Sequence, residues 1–316
     1  MEKKLLFIYN PNAGKGMIQS KLGEIIDLFV KGGFRVEVYP TQAPKDAIRK
    51  VEETQEVYSV IVCSGGDGTL DEVVTGMVQS KKEIPIGYIP VGTTNDFASS
   101  LGISRNMMQA ASDIVNGQPK PYDVGTFNDD VFVYVAAFGL FTEVTYETNQ
   151  DLKKLFGHMA YVLEGIKCLT DVKSYWMKLD IEGQIYEDEF LYGQVTNSTS
   201  VGGFKNLTGK NVKLDDGCFE YMFIRTPKNL IQMQEIIANL LTAEDLTDMI
   251  ISGKAQRVIV EAVEEVPWTL DGEFGGNQTF VRIENVHNGM QIIKADEEEI
   301  PETGDSQENE STALQP

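Results

Sequence analysis

The sequence is poor in the residues that build disulfide frameworks and zinc sites. Its 316 residues include only three cysteines, Cys63, Cys168 and Cys218, and only two histidines, His158 and His287. The cysteines form no CxxC pair and the histidines lack metal-ligand spacing, which argues against a disulfide framework and the common zinc patterns. This usage is typical of a protein from a reducing cytoplasm.

Long hydrophobic runs and positive charge are also scarce. No run of about 18 apolar residues occurs, so no membrane-spanning helix is expected. The first apolar stretch, residues 5–9, is too short for a signal peptide. With 27 basic and 48 acidic residues the net charge is −21, which argues against nucleic-acid binding. Eight of the acids fall in residues 296–316, which carry no base and are predicted to be a disordered acidic tail.

The first 123 residues alternate predicted strands with predicted helices. Apolar runs predict strands at residues 5–9, 34–39, 57–63 and 84–90. Helical spacing predicts helices over residues 22–30, 45–54 and 107–116, and one that starts near Leu70. Such βα units indicate a parallel, helix-covered sheet that binds ligands at the carboxyl ends of its strands.

The pattern changes after residue 123. Turn residues 128–130 lie between apolar runs 124–127 and 131–138, and Glu182-Gly183 lies between runs 174–181 and 185–195, so two β-hairpins are predicted. Further strands are expected at residues 219–225, 255–263 and 279–284, with helices at 151–170, 230–241 and 243–251. The sequence therefore predicts an α/β domain at 1–123 and a β-rich, sandwich-like domain at 124–285.

The motif SGGDGTLDE at residues 64–72 is the strongest chemical signal. Two glycines after a buried strand let backbone N–H groups approach a polyphosphate, and the following helix directs its positive end there. An aspartate in such a cradle is repulsive unless a cation intervenes, so Asp67 suggests Mg²⁺ between protein and phosphates. The alternative is an ordinary strand–turn–helix junction with a capping side chain.

Two more polar loops follow predicted strands. NPNAGKG at residues 10–16 is not a Walker loop, and PVGTTNDF at residues 90–97 is weak by itself. Each loop alone could be a turn, but three at successive strand ends indicate a phosphate site. Asp271-Gly272 reads most simply as a hairpin turn, with Glu273 as its solvated neighbour.

Together these motifs resemble the diacylglycerol kinase catalytic family, which also includes sphingosine and ceramide kinases and soluble bacterial relatives. The matching pieces are NPNAGKG, SGGDGTLDEV, PVGTTNDFA, VGGFKN, KLDDGCF and LDGE, in the family's order. GGDGT is shared with NAD kinases, whereas GTTNDFA favours lipid kinases.

The resemblance implies the roles of individual residues. It assigns the catalytic base to Glu273, with Asp67 and Asp71 as further catalytic candidates, although relatives usually have Asn at position 71. It implies a structural Mg²⁺ held by the Asp216 side chain and backbone carbonyls of Lys213 and Cys218, with Asp96 and Asp123 linking the metal regions to the cleft. The implied ATP contacts are Asn10, Pro11, Asn12, Ala13, Gly14, Thr41, Gly66, Asp67, Gly68, Thr69, Leu70, Asp71, Glu72 and Thr93.

The predicted function is that of an ATP- and Mg²⁺-dependent lipid kinase, most simply of diacylglycerol, with its active site in the cleft between the domains. Residues 286–295 are expected to return to the first domain. The start of the second domain has a local excess of lysines, which suggests transient peripheral membrane contact: Lys153, Lys154, Lys167, Lys173 and Lys178. The alternative is a normal amphipathic helix with a solvated face. An NAD kinase, or a catalytically silent lipid- or nucleotide-binding regulator, remains the alternative, and a homodimer is left open.

Overall fold

The structure is a computed structural model that describes residues 3–55, 57–93, 95–139, 173–199, 212–242 and 247–295. The predicted helix at 151–170 and the predicted acidic tail at 296–316 lie outside these ranges. None of the helices within them is long and apolar enough to cross a membrane.

The first part of the chain alternates strands and helices, as predicted. Its elements are β1 (Lys3–Tyr9), a 3₁₀ turn (Ala13–Gly16), α1 (Met17–Lys31), β2 (Phe34–Pro40), α2 (Asp46–Glu53), β3 (Val60–Gly65), α3 (Asp67–Gln79), β4 (Ile86–Pro90), α4 (Asp96–Ser100) and α5 (Met107–Asn116). Strands β4, β3, β1 and β2 are neighbours in that order and run parallel. Their carboxyl ends, and the loops that follow them, therefore meet at one edge of the sheet.

The second part is rich in antiparallel strands. Its elements are β5 (Gln118–Phe127), β6 (Asp130–Phe132), β7 (Val135–Gly139), β8 (Tyr175–Ile181), β9 (Gln184–Thr196), β10 (Phe219–Arg225), α6 (Leu230–Thr242), β11 (Ile250–Ala255), β12 (Arg257–Leu270) and β13 (Glu273–Lys294). The two predicted hairpins are confirmed as the pairs β5–β6 and β8–β9. The fold is mixed α/β with a sheet-rich C-terminal part.

Strands β9 and β12 each change partners along their length. The first half of β12 pairs with β8 and its last three residues pair with β7, while β9 likewise passes from β8 to β7. The aromatic core beside these strands contains Trp268, Phe138 and Phe127, and the planes of the two phenylalanine rings are inclined to the Trp268 ring by 60° and 61°. Leu270, the residue just before the β12–β13 turn, packs against this core.

Three details differ from the expectations. The helix predicted at 243–251 is wrong at its end, because Ile250 and Ile251 pair with β10 as part of β11; residues 243–246 are not described. The strand predicted at 279–284 and residues 286–294 of the returning segment are parts of one long strand, β13. The run 131–138 is broken into β6 and β7, because the amides of Val133, Tyr134 and Val135 donate to the Asp271 carboxylate.

Strand β13 connects the two parts of the chain. It pairs with β12 and β5 along most of its length, and Ile292 lies beside Ile86 of β4 in parallel register. Helix α3 adds a second connection, since Leu70, Val73 and Val74 share an apolar core with Tyr134. The start of α3 is thereby held against the β6–β7 connection.

Candidate active site

The loops after β1, β3 and β4 contact one another through their backbones. The Asn10 amide donates to the Ser64 carbonyl at 2.9 Å, and the Val91 amide donates to Gly65 at the same distance. Gly14 has a φ of +56°, and a methyl group there would lie 2.0 Å from the Val91 carbonyl oxygen. Only glycine allows the first loop to reach the third this closely.

The start of α3 is open for an anion. Gly66 precedes the helix and no described side chain caps its first N–H groups. A methyl at Gly92 would lie 2.6 Å from the Gly66 Cα, so the second and third loops also touch. Uncapped amides and the helix dipole attract negative charge, which suits the phosphates of a nucleotide.

Asp67, the first residue of α3, has one oxygen that lacks a partner. Its Oδ2 accepts a hydrogen bond from the Asp96 amide at 3.0 Å, whereas Oδ1 is buried without a hydrogen-bond partner among the described residues. Burial raises the pKa of Asp67 to about 6, and the nearby charges of Asp96 and Asp271 add to the shift. A buried carboxylate oxygen among acids suits a cation.

Asp67 and the acids near it fit an Mg²⁺ ion only if phosphate oxygens complete the set of ligands. As they lie, the described Asp, Glu, His and Cys side chains form no group of three or more that could hold a metal by themselves. Mg²⁺ at nucleotide sites usually takes one or two carboxylates and completes its shell with phosphates and water. Asp67 is therefore the one carboxylate that we assign to such an ion.

The β12–β13 turn brings Glu273 to the same place. Leu270 pairs with Glu273 across a two-residue turn, in which Asp271 and Gly272 have φ values of 52° and 86°. This is the Asp-Gly hairpin geometry expected from the sequence. A methyl on Gly68 would lie 2.9 Å from Glu273 Oε1. The carboxylate of the predicted base thus lies directly against the GGDGT segment.

Asp271 is a buried acid that backbone amides hold in place, an arrangement that the sequence did not reveal. Its carboxylate accepts hydrogen bonds from the amides of Val133, Tyr134 and Val135 at 2.6, 3.0 and 2.9 Å. The Tyr134 hydroxyl donates to the Asp271 backbone carbonyl at 3.2 Å. These bonds fix the turn that carries Glu273. An acid at a turn directly before the predicted base was the available signal.

The other predicted nucleotide contacts differ in whether their side chains are free to meet a ligand. The Glu72 carboxylate accepts from the Lys45 and Ala47 amides at 2.8 and 3.1 Å, so it holds the start of α2. Leu70 and Thr69 are buried, so only their backbones could meet a ligand. The remaining predicted contacts lie at or near the loop edge and are at least partly exposed: Asn10, Pro11, Asn12, Ala13, Gly14, Thr41, Gly66, Gly68 and Thr93.

The second predicted metal region contains a lysine that no sequence motif indicates. Glu220 of β10 lies directly opposite Lys254 of β11, and the ammonium contacts Glu220 at 3.0 Å and Asp216 at 2.7 Å. The only side-chain ligand predicted for the structural Mg²⁺ is therefore already paired with a cation. The residues as they lie do not fit a metal there, and the site at Lys213, Asp216 and Cys218 stays a prediction.

Asp123, another acid implied by the resemblance, organises this region through hydrogen bonds. It is fully buried and accepts from the Gly217 amide at 2.6 Å, the Asn288 amide at 2.8 Å and the ring of His287 at 2.9 Å. Asp123 thus ties the 213–218 loop to β13.

Replacing Lys254 by Met tests which cation neutralises this loop. The change leaves the buried Glu220 without its partner, so we expect a loss of about 1–3 kcal/mol in the free energy of unfolding. Melting curves with and without millimolar Mg²⁺ check it, with Asp216→Ala measured alongside. If Lys254 is the resident cation, Mg²⁺ will stabilise the Lys254→Met protein more than the wild type. Equal Mg²⁺ shifts in wild type and both variants would contradict this.

The chain is similar to known proteins over most of its length. A profile of the diacylglycerol kinase catalytic domain matches residues 4–127. The chain is 34% identical over 277 residues to a diacylglycerol kinase of Bacillus subtilis, covering 87% of this chain and 91% of that protein. It is 34% identical over 278 residues to a diacylglycerol kinase of Staphylococcus carnosus, with coverages of 87% and 90%.

A solved structure agrees with these relatives. A protein from Bacillus anthracis, described as a candidate diacylglycerol kinase, superposes with a TM-score of 0.77 at 28% identity, covering 93% of this chain and 96% of that one. The chain belongs to the diacylglycerol kinase family and is a lipid kinase of that type.

Proposed function

We propose that this enzyme transfers the γ-phosphate of ATP, in an Mg²⁺-dependent reaction, to the hydroxyl of diacylglycerol and so forms phosphatidic acid. One observation carries the proposal: Glu273 Oε1 lies against Gly68, one residue from Asp67 at the open start of α3. A proton acceptor and a phosphate-binding helix start are thus adjacent, which is the minimum that phosphoryl transfer to an alcohol requires.

The chain's own groups divide the work. The loop amides and the start of α3 hold the phosphates in line with the acceptor, and Asp67 holds the cation. When bound, Mg²⁺ neutralises charge on the phosphates. Glu273 takes the proton of the acceptor hydroxyl as the hydroxyl oxygen forms a bond to the γ-phosphorus. The bond between the γ-phosphorus and the β–γ bridging oxygen breaks at the same time, and ADP leaves.

The acceptor enters, in this proposal, between the nucleotide loops and the β-rich part. Two features support the proposal, the first for the place where the acceptor enters and the second for its apolar character. Glu273 comes from the β-rich part while Gly68 belongs to the nucleotide part, so the reacting groups come from both. The next residue, Phe274, is 57% exposed on the same turn, where it offers an apolar contact to a lipid chain.

Peripheral membrane contact stays a prediction. Of the lysines that suggested it, Lys173 pairs with Glu264 at 3.1 Å, and Lys178 lies opposite Glu261 and Glu187 in the strand register. These two therefore contribute little net positive charge. The other lysines of the suggested patch, Lys153, Lys154 and Lys167, lie outside the described residues.

The decisive experiment offers the enzyme several acceptors. Purified protein is incubated with Mg²⁺ and γ-labelled ATP in mixed micelles containing diacylglycerol, a sphingoid base, a phosphatidylglycerol-type lipid or an isoprenoid alcohol, and separately with NAD. Label is expected in phosphatidic acid, and to disappear with EDTA. Label in another lipid would correct the substrate, label in NADP would favour the NAD kinase alternative, and no label at all would overturn the proposal.

A further inference from the structure

Helix α4 connects the nucleotide loops to the β6–β7 connection. At its start, the Asp96 amide donates to Asp67 Oδ2 at 3.0 Å, so the helix contacts the carboxylate that we assign to Mg²⁺. The next residue, Phe97, is fully buried and stacks on Tyr134, with ring centroids 6.4 Å apart and ring planes inclined by 24°. Through these two contacts, α4 joins Asp67 to Tyr134.

Tyr134 in turn contacts the β12–β13 turn with two separate groups. Its hydroxyl donates to the Asp271 backbone carbonyl at 3.2 Å, and its amide donates to Asp271 Oδ1 at 3.0 Å. The hydroxyl lies close to the turn, since a methyl group on Gly272 would be 3.9 Å from it. Glu273 is the residue after this glycine. Tyr134 therefore contacts α4 with its ring and the turn of the proposed base with its hydroxyl.

These contacts give Asp67 and Glu273 a second connection besides their direct neighbourhood. The direct one is short, because Glu273 Oε1 lies against Gly68, which follows Asp67. The second runs through α4 to Tyr134 and from there through the turn to Glu273. Because packed interiors do not deform freely, a shift of the phenol moves the turn relative to α4.

Further hydrogen bonds keep the middle of this second connection in place. The Tyr134 carbonyl accepts from the Asn197 amide at 2.9 Å and from the Thr196 hydroxyl at 2.6 Å. At the end of α4, the hydroxyls of Ser100 and Ser198 are hydrogen-bonded at 2.8 Å. The end of β9 and the two residues after it therefore hold both Tyr134 and α4. The phenol is fixed on its backbone side and can determine where the turn lies.

We propose that Tyr134 is a positioning residue, whose ring and hydroxyl together set the place of Glu273 relative to Asp67. Stacking on Phe97 fixes the phenol against α4, and the hydroxyl then fixes the turn through the Asp271 carbonyl. The inference rests on the proposed role of Glu273. The alternative is an ordinary core tyrosine whose hydroxyl only satisfies a buried carbonyl, in which case its loss affects stability and not turnover.

Two substitutions separate the hydroxyl from the stacked ring. Tyr134→Phe removes only the hydroxyl, whereas Phe97→Leu removes the stacked ring and keeps an apolar side chain. Tyr192→Phe is the matched control, because Tyr192 is also buried and its hydroxyl donates to Gln194 Oε1 at 2.7 Å in a different core cluster. Each change is made in the wild type and in Glu273→Gln, and kcat, KM for ATP and lipid, and Tm are measured.

The expected result is a loss of turnover without a loss of nucleotide binding. Tyr134→Phe should lower kcat by about 10-fold, because small displacements of a reacting group can cost up to about 100-fold. KM for ATP should hardly change, and Phe97→Leu should act in the same direction. Tyr192→Phe should lower Tm by a similar amount, since it also loses one buried hydrogen bond, but it should keep the wild-type kcat.

The Glu273→Gln background tests whether the two side chains act together. If Tyr134 acts by placing Glu273, its hydroxyl has no base left to position in that background. Tyr134→Phe should then hardly lower the residual kcat, so the two losses do not multiply. A purely structural role would not produce this dependence on the base.

Hydrogen exchange of the turn supplies a readout that needs no turnover. The Asp271 amide donates to the Val135 carbonyl at 2.8 Å and is protected while the turn is held. In Tyr134→Phe its exchange should become about 5-fold faster, the effect of one net hydrogen bond, whereas Tyr192→Phe should leave it unchanged. If the wild type phosphorylates no lipid, the proposed function fails, while this comparison still decides whether Tyr134 holds the turn.

Three results would overturn the proposal. A wild-type kcat in Tyr134→Phe would show that the hydroxyl does not position the base. A loss that multiplies in full with Glu273→Gln would show that Tyr134 acts somewhere else. Unchanged exchange of the Asp271 amide in Tyr134→Phe would show that the hydrogen bond does not hold the turn. If Phe97→Leu does not fold, Tyr134→Phe, which keeps both rings, still decides.

Discussion

Replacement of Glu273 by Gln is expected to lower turnover by about 10² to 10⁴, the usual cost of losing a general base. The amide keeps the size and hydrogen-bonding reach of the side chain but cannot accept the alcohol's proton. ATP affinity should hardly change, because the proposed role of Glu273 is toward the acceptor hydroxyl. Calorimetric titration with ATP and lipid phosphorylation across pH, on one preparation, make the comparison.

Two outcomes would remove Glu273 from its role. Near-normal turnover of Glu273→Gln would show that the residue is only a part of the hairpin beside the loop and does not act as the base. A large loss of ATP affinity with unchanged kcat would place its carboxylate on the nucleotide instead. Phe274→Ala is a useful neighbour control, because it alters the same turn without removing a carboxylate, and it should raise the KM for lipid more than it lowers kcat.

Asp67→Asn should nearly abolish phosphoryl transfer while the fold survives. It removes the charge of a carboxylate whose Oδ1 is buried without a hydrogen-bond partner among the described residues, and that charge is what attracts Mg²⁺. Activity should not be restored by millimolar Mg²⁺, and the metal dependence of ATP binding should weaken. Normal activity with unchanged Mg²⁺ dependence would contradict the assignment.

The same substitution should stabilise the metal-free protein. The pKa of Asp67 is raised from 3.8 to about 6, so the folded state binds this proton more tightly than the unfolded state does. Stability from this group is present below about pH 4 and is lost as pH rises through about 6. Without metal, Asp67→Asn should gain about 1–3 kcal/mol over wild type at pH 8 and nothing at pH 4. Equal melting temperatures at both pH values would contradict the raised pKa.

Local signals in the sequence predicted much of the fold. Apolar runs and helical spacing identified the strands and helices of the first part, because each βα unit buries a continuous face. The turns at Glu182-Gly183 and Asp271-Gly272 identified hairpins, since both require residues that tolerate positive φ. The meeting of the three polar loops at one edge followed from parallel topology alone.

Features that depend on distant contacts were not predictable. Residues 133–135 read as continuous strand, yet their amides bind a carboxylate from position 271. Ile250 and Ile251 fitted a helical pattern, but in the structure they pair with β10 and so belong to a strand. The pairing of Lys254 with Glu220 depends on the β10–β11 register, which a single sequence does not encode locally.

The length of β13 bears on how the enzyme is synthesised. The strand begins at Glu273 and ends at Lys294, and it supplies neighbours to β12, β5 and β4. On the ribosome, β4 and β5 emerge long before their partner, so the nucleotide sheet has an unpaired apolar edge through most of translation. We expect such non-local closure to slow folding and to leave this edge open to aggregation until β13 has been made. Among the described strands, the one that carries Glu273 comes last in chain order, so the turn that carries the proposed base forms only after β1 to β12 have been made.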